Sequence, residues 1–281
     1  MIVDAHTHIW RPDTSGENRV TTIVSGQTDI PAELLRRYLD EHGVERAVLV
    51  QPVYPAEDNS FVADAAVADP DRFAAVCVID PRKPDAADTL VYWVTERGCR
   101  GLRLRPNVPG EAAIFGHSDS FPLWEAAARL RIAVNVLGGF EHLDAVAELA
   151  ERFPSVPIVI DHLAHPGRPD DLASARPLLA LSRFPRVFIK FSGFYYFSQA
   201  TYPYGDCRDL VRAVHDSFGS ARLLWGSDFP HVLLKASYGG ALALIDRLGL
   251  GLSTEDRQLI LGRNAAHLYW PGRTPSGSAV G

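Results

Sequence analysis

The sequence is poor in cysteine, in long apolar runs and in excess positive charge, and each absence excludes a class of protein. Its three cysteines, Cys77, Cys99 and Cys207, are widely spaced without a Cys-x-x-Cys pair, so neither a disulfide framework nor a cysteine zinc cage is expected. No apolar run approaches the roughly 18 residues that span a bilayer, and no basic leader with an apolar core precedes the first predicted strand. We therefore expect a cytoplasmic protein with reduced thiols.

The charge balance argues against polyanionic partners. The 281 residues carry a formal net charge of -6, with a sequence pI near 5.9, which gives no general attraction to nucleic acid or to an anionic membrane. Any affinity for anions must therefore be local. We expect a small-molecule substrate and no nucleic-acid or membrane partner, and the sequence leaves open whether the chain forms a homo-oligomer.

What the chain does contain is a regular alternation of short β-like runs and amphipathic helical segments. The eight runs cover residues 2–9, 46–53, 73–80, 101–107, 133–137, 158–162, 187–193 and 223–228. Eight such units over roughly 250 residues match the (β/α)8 TIM barrel in count and size. A doubly wound sheet is the alternative, but no Gly-x-Gly-x-x-Gly follows the first run. We predict an α/β, single-domain (β/α)8 barrel over residues 1–270, followed by a flexible tail, 271–281.

In such a barrel, reactive side chains are expected at the carboxyl ends of the strands. The first run carries His6 and His8, whose alternate spacing places them on one face together with Asp4. The sixth run ends at His162, which is in register with Ile158 and Ile160 and is for that reason predicted to point inward.

The eighth run ends in Gly-Ser-Asp-Phe-Pro-His, which places Asp228 at its tip with Gly226 leaving room below it. Three histidines and one carboxylate are thus expected to converge. They are ligand types for zinc or a similar ion, and they could also activate water without metal. Each alone could be an ordinary hydrogen-bonded structural residue, but their combination at the strand ends favours a catalytic site formed by His6, His8, His162 and Asp228.

The fourth run carries two arginines and an asparagine at alternate positions, which places their side chains on the same face of the predicted strand. Arg103, the deeper arginine, is predicted to form a structural ion pair with Asp4, since a buried guanidinium requires an acceptor. Arg105 lies nearer the mouth and is predicted to bind a substrate carboxylate in a bidentate fork, with internal pairing as the alternative. Asn107 follows on the same face and is included among the substrate contacts.

Three further substrate contacts are expected in the segments after the strands: Tyr54 after the second, His165 after the sixth, and Tyr195 after the seventh. Aromatic residues with hydroxyl groups suit a pocket wall, although they also suit ordinary packing. Lys190 in the seventh run and His231 after Asp228 are weaker candidates, and His231 is expected to be structural.

The motifs together resemble the amidohydrolase superfamily. They are Val-Asp-Ala-His-Thr-His at 3–8, Ile-Asp-His-Leu at 160–163, Leu-Trp-Gly-Ser-Asp-Phe-Pro-His at 224–231 and Gly-Arg-Asn-Ala-Ala-His-Leu-Tyr at 262–269. The resemblance spans nearly the whole chain and is strongest to the branch of 2-pyrone-4,6-dicarboxylate lactonases and sugar-lactone hydrolases. It implies a hydrolase that opens a cyclic ester, with a carboxylated or sugar-acid substrate, and it assigns the attacking water to Asp228.

The resemblance also indicates how many metal ions the site could bind and which residues would hold them. Members with two ions add a Lys or Glu on strand four and a His on strand five, whereas this chain has Asn135 on the fifth run. At most one divalent ion is therefore expected, held by His6, His8 and Asp228, with zinc as the expected ion if one binds. Two alternatives stay open: a mononuclear zinc decarboxylase of aromatic acids, and a barrel that binds a small molecule without catalysis.

Overall fold

The computed structural model describes residues 1–11, 29–52, 58–105 and 114–272, and these contain one eight-stranded parallel sheet. Its strands are β1 (Val3–Thr7), β2 (Arg46–Val50), β3 (Phe73–Val78), β4 (Gly101–Leu104), β5 (Ala133–Val136), β6 (Ile158–Ile160), β7 (Val187–Phe191) and β8 (Leu223–Trp225). Each strand pairs with the next in sequence order. Thr7 also pairs in parallel with Phe229 beyond β8, so the sheet closes on itself. The predicted barrel is confirmed.

Helices alternate with the strands as expected. In the described residues they are α1 (Ala32–Glu41), α2 (Ser60–Ala68), α3 (Ala86–Thr95), α4 (Phe121–Leu130), α5 (Leu143–Arg152), α6 (Arg176–Ala180), α7 (Phe194–Phe197), α8 (Arg208–Phe218), α9 (Tyr238–Arg247), α10 (Thr254–Gln258) and α11 (Asn264–Tyr269). A π-helical segment, Leu259–Arg263, joins the last two. Within these described ranges, no helix has the length and apolar character that a membrane crossing requires.

The buried side chains form two apolar clusters that separate the inside of the barrel from its outer layer. The inner cluster contains alternate strand residues such as Val48 and Val76 together with Tyr269 of α11. The outer cluster contains Leu49 and Leu102 and most of the buried helical residues. Since side chains alternate along a strand, each strand contributes to both layers.

Helix α11 fills the amino-terminal end of the barrel. The Tyr269 hydroxyl donates to Oδ1 of Asn135 at 2.6 Å, and the Asn135 amide donates to the Leu102 carbonyl. Gly101 allows this approach, because a Cβ there would lie 3.3 Å from the Tyr269 ring. With one end closed by an aromatic side chain, the polar residues lie at the opposite, carboxyl-terminal end, where they form a pocket.

Candidate active site

Asp228 lies at the centre of the pocket floor. It is fully buried just after β8, and its backbone has a φ of 59°, a left-handed conformation that costs a non-glycine residue on the order of 1 kcal/mol. Its Oδ1 lies 3.4 Å from Nε2 of His8 and 3.6 Å from Nε2 of His6. The same two nitrogens lie 3.2 Å apart. Three of the four predicted catalytic residues therefore meet at one point.

His162 also reaches this point, although the argument from register was wrong. Ile158 and Ile160 belong to the outer cluster and Val159 to the inner one, so simple alternation would turn His162 outward. Instead the backbone enters a left-handed turn, and residues 162–165 all have positive φ. This turn brings the His162 ring to 4.6 Å from the His6 ring.

Two glycines make room for the histidines. A Cβ on Gly226 would lie 2.8 Å from the His6 Cβ, and one on Gly193 would lie 2.6 Å from Nδ1 of His162. Both distances are shorter than non-bonded carbon contacts allow. The role expected for Gly226 is therefore confirmed by its packing, while the matching role of Gly193 was not predicted.

Hydrogen bonds at Nδ1 orient the rings of His8 and His162. Nδ1 of His8 lies 2.8 Å from the Val50 carbonyl oxygen, which can only accept, so this nitrogen carries the hydrogen and the neutral ring has its lone pair on Nε2. Nδ1 of His162 lies 2.8 Å from Oγ of Ser192. In each ring, Nε2 is therefore the nitrogen that faces the pocket.

Below His6 lies a buried cluster of charges. Lys190 Nζ lies 3.0 Å from Oδ1 of Asp161 and 3.1 Å from Nδ1 of His6. Arg103 donates from Nε to Oδ2 of Asp161 at 2.9 Å. Lys190 and Asp161 are completely buried, and a buried charge requires such partners because desolvation is costly.

The predicted ion pair between Arg103 and Asp4 is therefore wrong. Asp4 instead accepts hydrogen bonds from the backbone N–H of Ser227 and from the Tyr238 hydroxyl, each at 2.8 Å. The register of β1 against β2 shifts between Asp4 and Thr7, and this irregularity separates Asp4 from the two histidines that were expected to share its face. Arg103 pairs instead with Asp161, because the Asp161 carboxylate, directly after β6, lies inside the barrel.

Burial and neighbouring charges fix the protonation states of the site. Burial lowers the pKa of His162 to about 3, and burial together with the Lys190 charge lowers that of His6 well below its usual value. Burial alone would raise the pKa of Asp228, but His162, His8 and other neighbouring imidazoles lower it well below its ordinary value. At neutral pH the site therefore presents an ionised Asp228 next to neutral His6 and His162.

Two tyrosines of α7 cover one side of Asp228. Tyr195 donates its hydroxyl hydrogen to Oδ2 of Asp228, which leaves Oδ1 facing the histidines. Tyr196 is half exposed and lies edge-on to His162, with 5.7 Å between ring centres. Tyr195 was predicted as a substrate contact, and the geometry places it on the carboxylate itself.

The pocket above this floor has a cavity volume of about 130 Å³ in the part of the chain that the structure describes. Among the described residues, its walls are formed by His8, Pro52, Arg103, Leu137, His162, His165, Tyr196, Asp228 and His231. His165, which was predicted to contact the substrate, stacks on His162 with 5.2 Å between the ring centres. His231 lines the wall with its Nδ1 3.9 Å from Oδ1 of Asp228.

Of the other predicted substrate contacts, the structure describes only Arg105. Arg105 follows β4 and is half buried. Tyr54 and Asn107 lie outside the described residues, as do residues 273–281 of the predicted tail.

Sequence reasoning missed Asp161 and undervalued Lys190, although both carried a signal. Asp161 directly follows the apolar run 158–160, and Lys190 lies within the run 187–191. A charge at either position requires a polar partner inside the barrel. The phase of the sixth strand, read with Val159 inward, would have selected Asp161.

Comparisons with known proteins agree with this geometry. Residues 3–270 match the family model described as Amidohydrolase. An L-fucono-1,5-lactonase from Burkholderia ambifaria is 30% identical over 98% of this chain and 97% of its own. A 2-pyrone-4,6-dicarboxylate hydrolase from Comamonas testosteroni is 28% identical over 96% of this chain and 90% of its own. The chain belongs to the amidohydrolase family, and the resemblance inferred from its motifs is confirmed.

A solved structure shows the same fold. It is an amidohydrolase from Burkholderia multivorans with bound zinc, and it superposes with a TM-score of 0.80 at 24% identity, covering 96% of this chain and 99% of the other. The prediction that this chain is a hydrolase of the amidohydrolase type is confirmed by the family match.

Proposed function

We propose that this protein hydrolyses a lactone whose acid part is a carboxylated compound or a sugar acid. The observation that carries the proposal is the position of Asp228, an ionised carboxylate with Oδ1 facing His6 and His8 on the floor of an open pocket. The relatives named as lactonases support the class of reaction.

In this mechanism Asp228 accepts the proton of the attacking water and returns it to the alkoxide that leaves when the ring opens. Tyr195 holds Oδ2 of Asp228, so Oδ1 takes the proton. An ionised carboxylate oxygen has two lone pairs, and an ion held by His6 and His8 would occupy one of them and leave the other for the proton. His162 Nε2 stabilises the oxyanion of the tetrahedral intermediate by donating a hydrogen bond, since Nδ1 can accept from Ser192 Oγ. No covalent intermediate with the protein is needed.

The lowered pKa of Asp228 makes it a weak base toward ordinary water. A divalent cation, when bound, would make water more acidic and would polarise the lactone carbonyl. Nε2 of His6, Nε2 of His8 and Oδ1 of Asp228 are separated by 3.2, 3.4 and 3.6 Å. Donors of a tetrahedral zinc ion with bonds near 2.0–2.1 Å lie about 3.3–3.4 Å apart, so this triad fits one zinc ion.

The charge of the pocket favours an acidic substrate. With neutral histidines, the cations Lys190 and Arg103 balance the carboxylates Asp161 and Asp228. A bound divalent ion then leaves the floor positive, which an anionic substrate would offset. We propose that Arg105 binds the substrate carboxylate, and that Arg103, which lines the pocket, adds to the attraction.

The test is a panel of sugar lactones, pyrone and muconolactone carboxylates and aromatic carboxylic acids, assayed with and without added zinc. Lactone hydrolysis predicts ring opening with release of one proton per turnover for at least one lactone. Carbon dioxide release from an aromatic acid would instead establish the decarboxylase alternative. Ligand binding with no turnover of any compound would establish a binding protein, and either result would overturn the proposal.

A further inference from the structure

The buried charge cluster under His6 leads to an inference about metal binding, which rests on the zinc site proposed above. Lys190 Nζ lies within 3.1 Å of Nδ1 of His6 and 3.0 Å of Oδ1 of Asp161. A lysine ammonium has only hydrogen-bond donors. Toward Lys190, Nδ1 of His6 must therefore act as an acceptor.

This contact selects one tautomer of His6. A neutral imidazole carries one hydrogen, so accepting at Nδ1 places the hydrogen on Nε2, which faces Nε2 of His8 at 3.2 Å. His8 keeps its own hydrogen on Nδ1 toward the Val50 carbonyl, so its Nε2 accepts. The donors thus run in one direction, from Lys190 to His6 to His8 to Val50, and each hydrogen bond in the series is satisfied without metal.

A metal ion needs the opposite tautomer. Its bond to His6 requires the lone pair on Nε2, with the hydrogen on Nδ1 donated to an acceptor such as a carboxylate. Oδ1 of Asp161 lies 3.4 Å from Nδ1 of His6 and could accept it, but Lys190 competes for that oxygen and directs its own donors at Nδ1. We propose that Lys190 is a positioning residue that holds His6 in the tautomer opposed to metal binding, and so weakens the affinity of the site for zinc.

The first experiment measures zinc affinity of the metal-free full chain by competition with a chromogenic chelator. Lys190→Met removes the donors at Nδ1 of His6, while Arg103 still pairs with Asp161. We expect zinc to bind about tenfold more tightly or better, the size typical of changes to the partners of a ligating histidine. Lys235→Met makes the same replacement at an exposed position and should leave the affinity unchanged. Equal or weaker binding by Lys190→Met would overturn the proposal.

Loss of a positive charge alone could also tighten zinc binding, and Asp161→Asn separates the two causes. Arg103 holds the oxygen of the new amide, so its N–H₂ group faces His6 and donates to Nδ1, which keeps the tautomer that opposes metal. The gain from Lys190→Met should therefore disappear in the Asp161→Asn background. A gain of the same size in both backgrounds would show a simple charge effect and reject the role of the tautomer.

A direct readout uses the metal-free wild-type chain labelled with ¹⁵N at histidine. Long-range ¹H–¹⁵N spectra distinguish the two tautomers, and we expect the hydrogen of His6 on Nε2 and that of His8 on Nδ1. A hydrogen on Nδ1 of His6 would overturn the proposal even if Lys190→Met failed to fold. Neither zinc affinity nor the tautomer depends on lactone turnover, so failure of the proposed function and failure of this inference are distinguishable.

Discussion

Tyr195 donates its hydroxyl hydrogen to Oδ2 of Asp228, while Oδ1 of the same carboxylate faces His6 and His8. The short helix α7, directly after β7, brings the tyrosine to this position. One oxygen of the carboxylate is thus held by the protein, and in the proposed mechanism the other faces the reacting water. On that proposal Tyr195 orients the catalytic carboxylate in addition to lining the site.

Tyr195→Phe should therefore lower kcat for lactone opening by about tenfold with little change in KM, since a hydrogen bond to a charged group contributes about 1.5–3 kcal/mol. Loss of a donor to the carboxylate should also move the acid limb of the pH–rate profile to higher pH. Steady-state kinetics across pH 4–8 check both effects. Tyr92→Phe, at an exposed position on α3, is the matched control. If Tyr195→Phe had the same pH–rate profile as Tyr92→Phe, the role of Tyr195 would be rejected.

Gly193→Ala should displace His162. The position has a φ of 67°, and a Cβ there would lie 2.6 Å from Nδ1 of His162. Gly43 has a φ of 66° with nothing within 4 Å of its Cβ position, so Gly43→Ala introduces backbone strain alone. We expect both variants to lose on the order of 1 kcal/mol of unfolding free energy from strain, with a further loss and a large fall in kcat only for Gly193→Ala. Equal activity of the two variants would contradict the packing role of Gly193.

The buried histidines should make stability depend on pH. Burial lowers the pKa of His162 from 6.5 to about 3. Between pH 3 and pH 6.5, His162 is therefore protonated in the unfolded chain and neutral in the folded chain. This contribution is complete above pH 6.5 and is lost as the pH falls toward 3, at up to about 1.4 kcal/mol per pH unit. Urea denaturation of the chelator-treated chain at pH 7.5, 5.5 and 4.5 should show a smaller acid loss for His162→Asn than for wild type. Parallel curves would show that His162 is not buried in the neutral form.

Arg105→Gln should separate acidic from neutral substrates. If Arg105 binds the carboxylate of the substrate, the variant should raise KM for a carboxylated lactone by about tenfold and leave KM for a neutral sugar lactone nearly unchanged. Arg100→Gln replaces an exposed arginine just before β4 and should change neither value. A similar rise for both substrate types would assign Arg105 to structure instead.

Much of the fold and part of the site were predictable from local pattern. The eight strands could be located because each is a short apolar run followed by an amphipathic segment. The capping box of Ser253 and Asp256 at the start of α10 also follows from the spacing of the two residues. Asp228, His6 and His8 could be selected because each is a polar residue where a strand ends.

Other features depended on tertiary structure that no local pattern encodes. The left-handed turn after β6 overrides the alternation from which His162 was predicted, and its cost is acceptable only within the assembled barrel. The partner of Arg103 depends on which residues of β6, two strands later in the sequence, face the inside of the barrel. The irregularity in β1 that turns Asp4 toward Tyr238 has no signal in the local sequence.

The central claim is that Asp228 takes the proton from the water that opens the lactone, and Asp228→Asn tests it most directly. The measurement is proton release from the best lactone of the panel, with binding of the ring-opened product measured on the same preparation and with zinc content equalised. The account predicts a fall in kcat of about 100-fold or more, the scale of general base catalysis, with product affinity changed only a few-fold. A variant that binds product normally and retains more than a few per cent of wild-type turnover would contradict it.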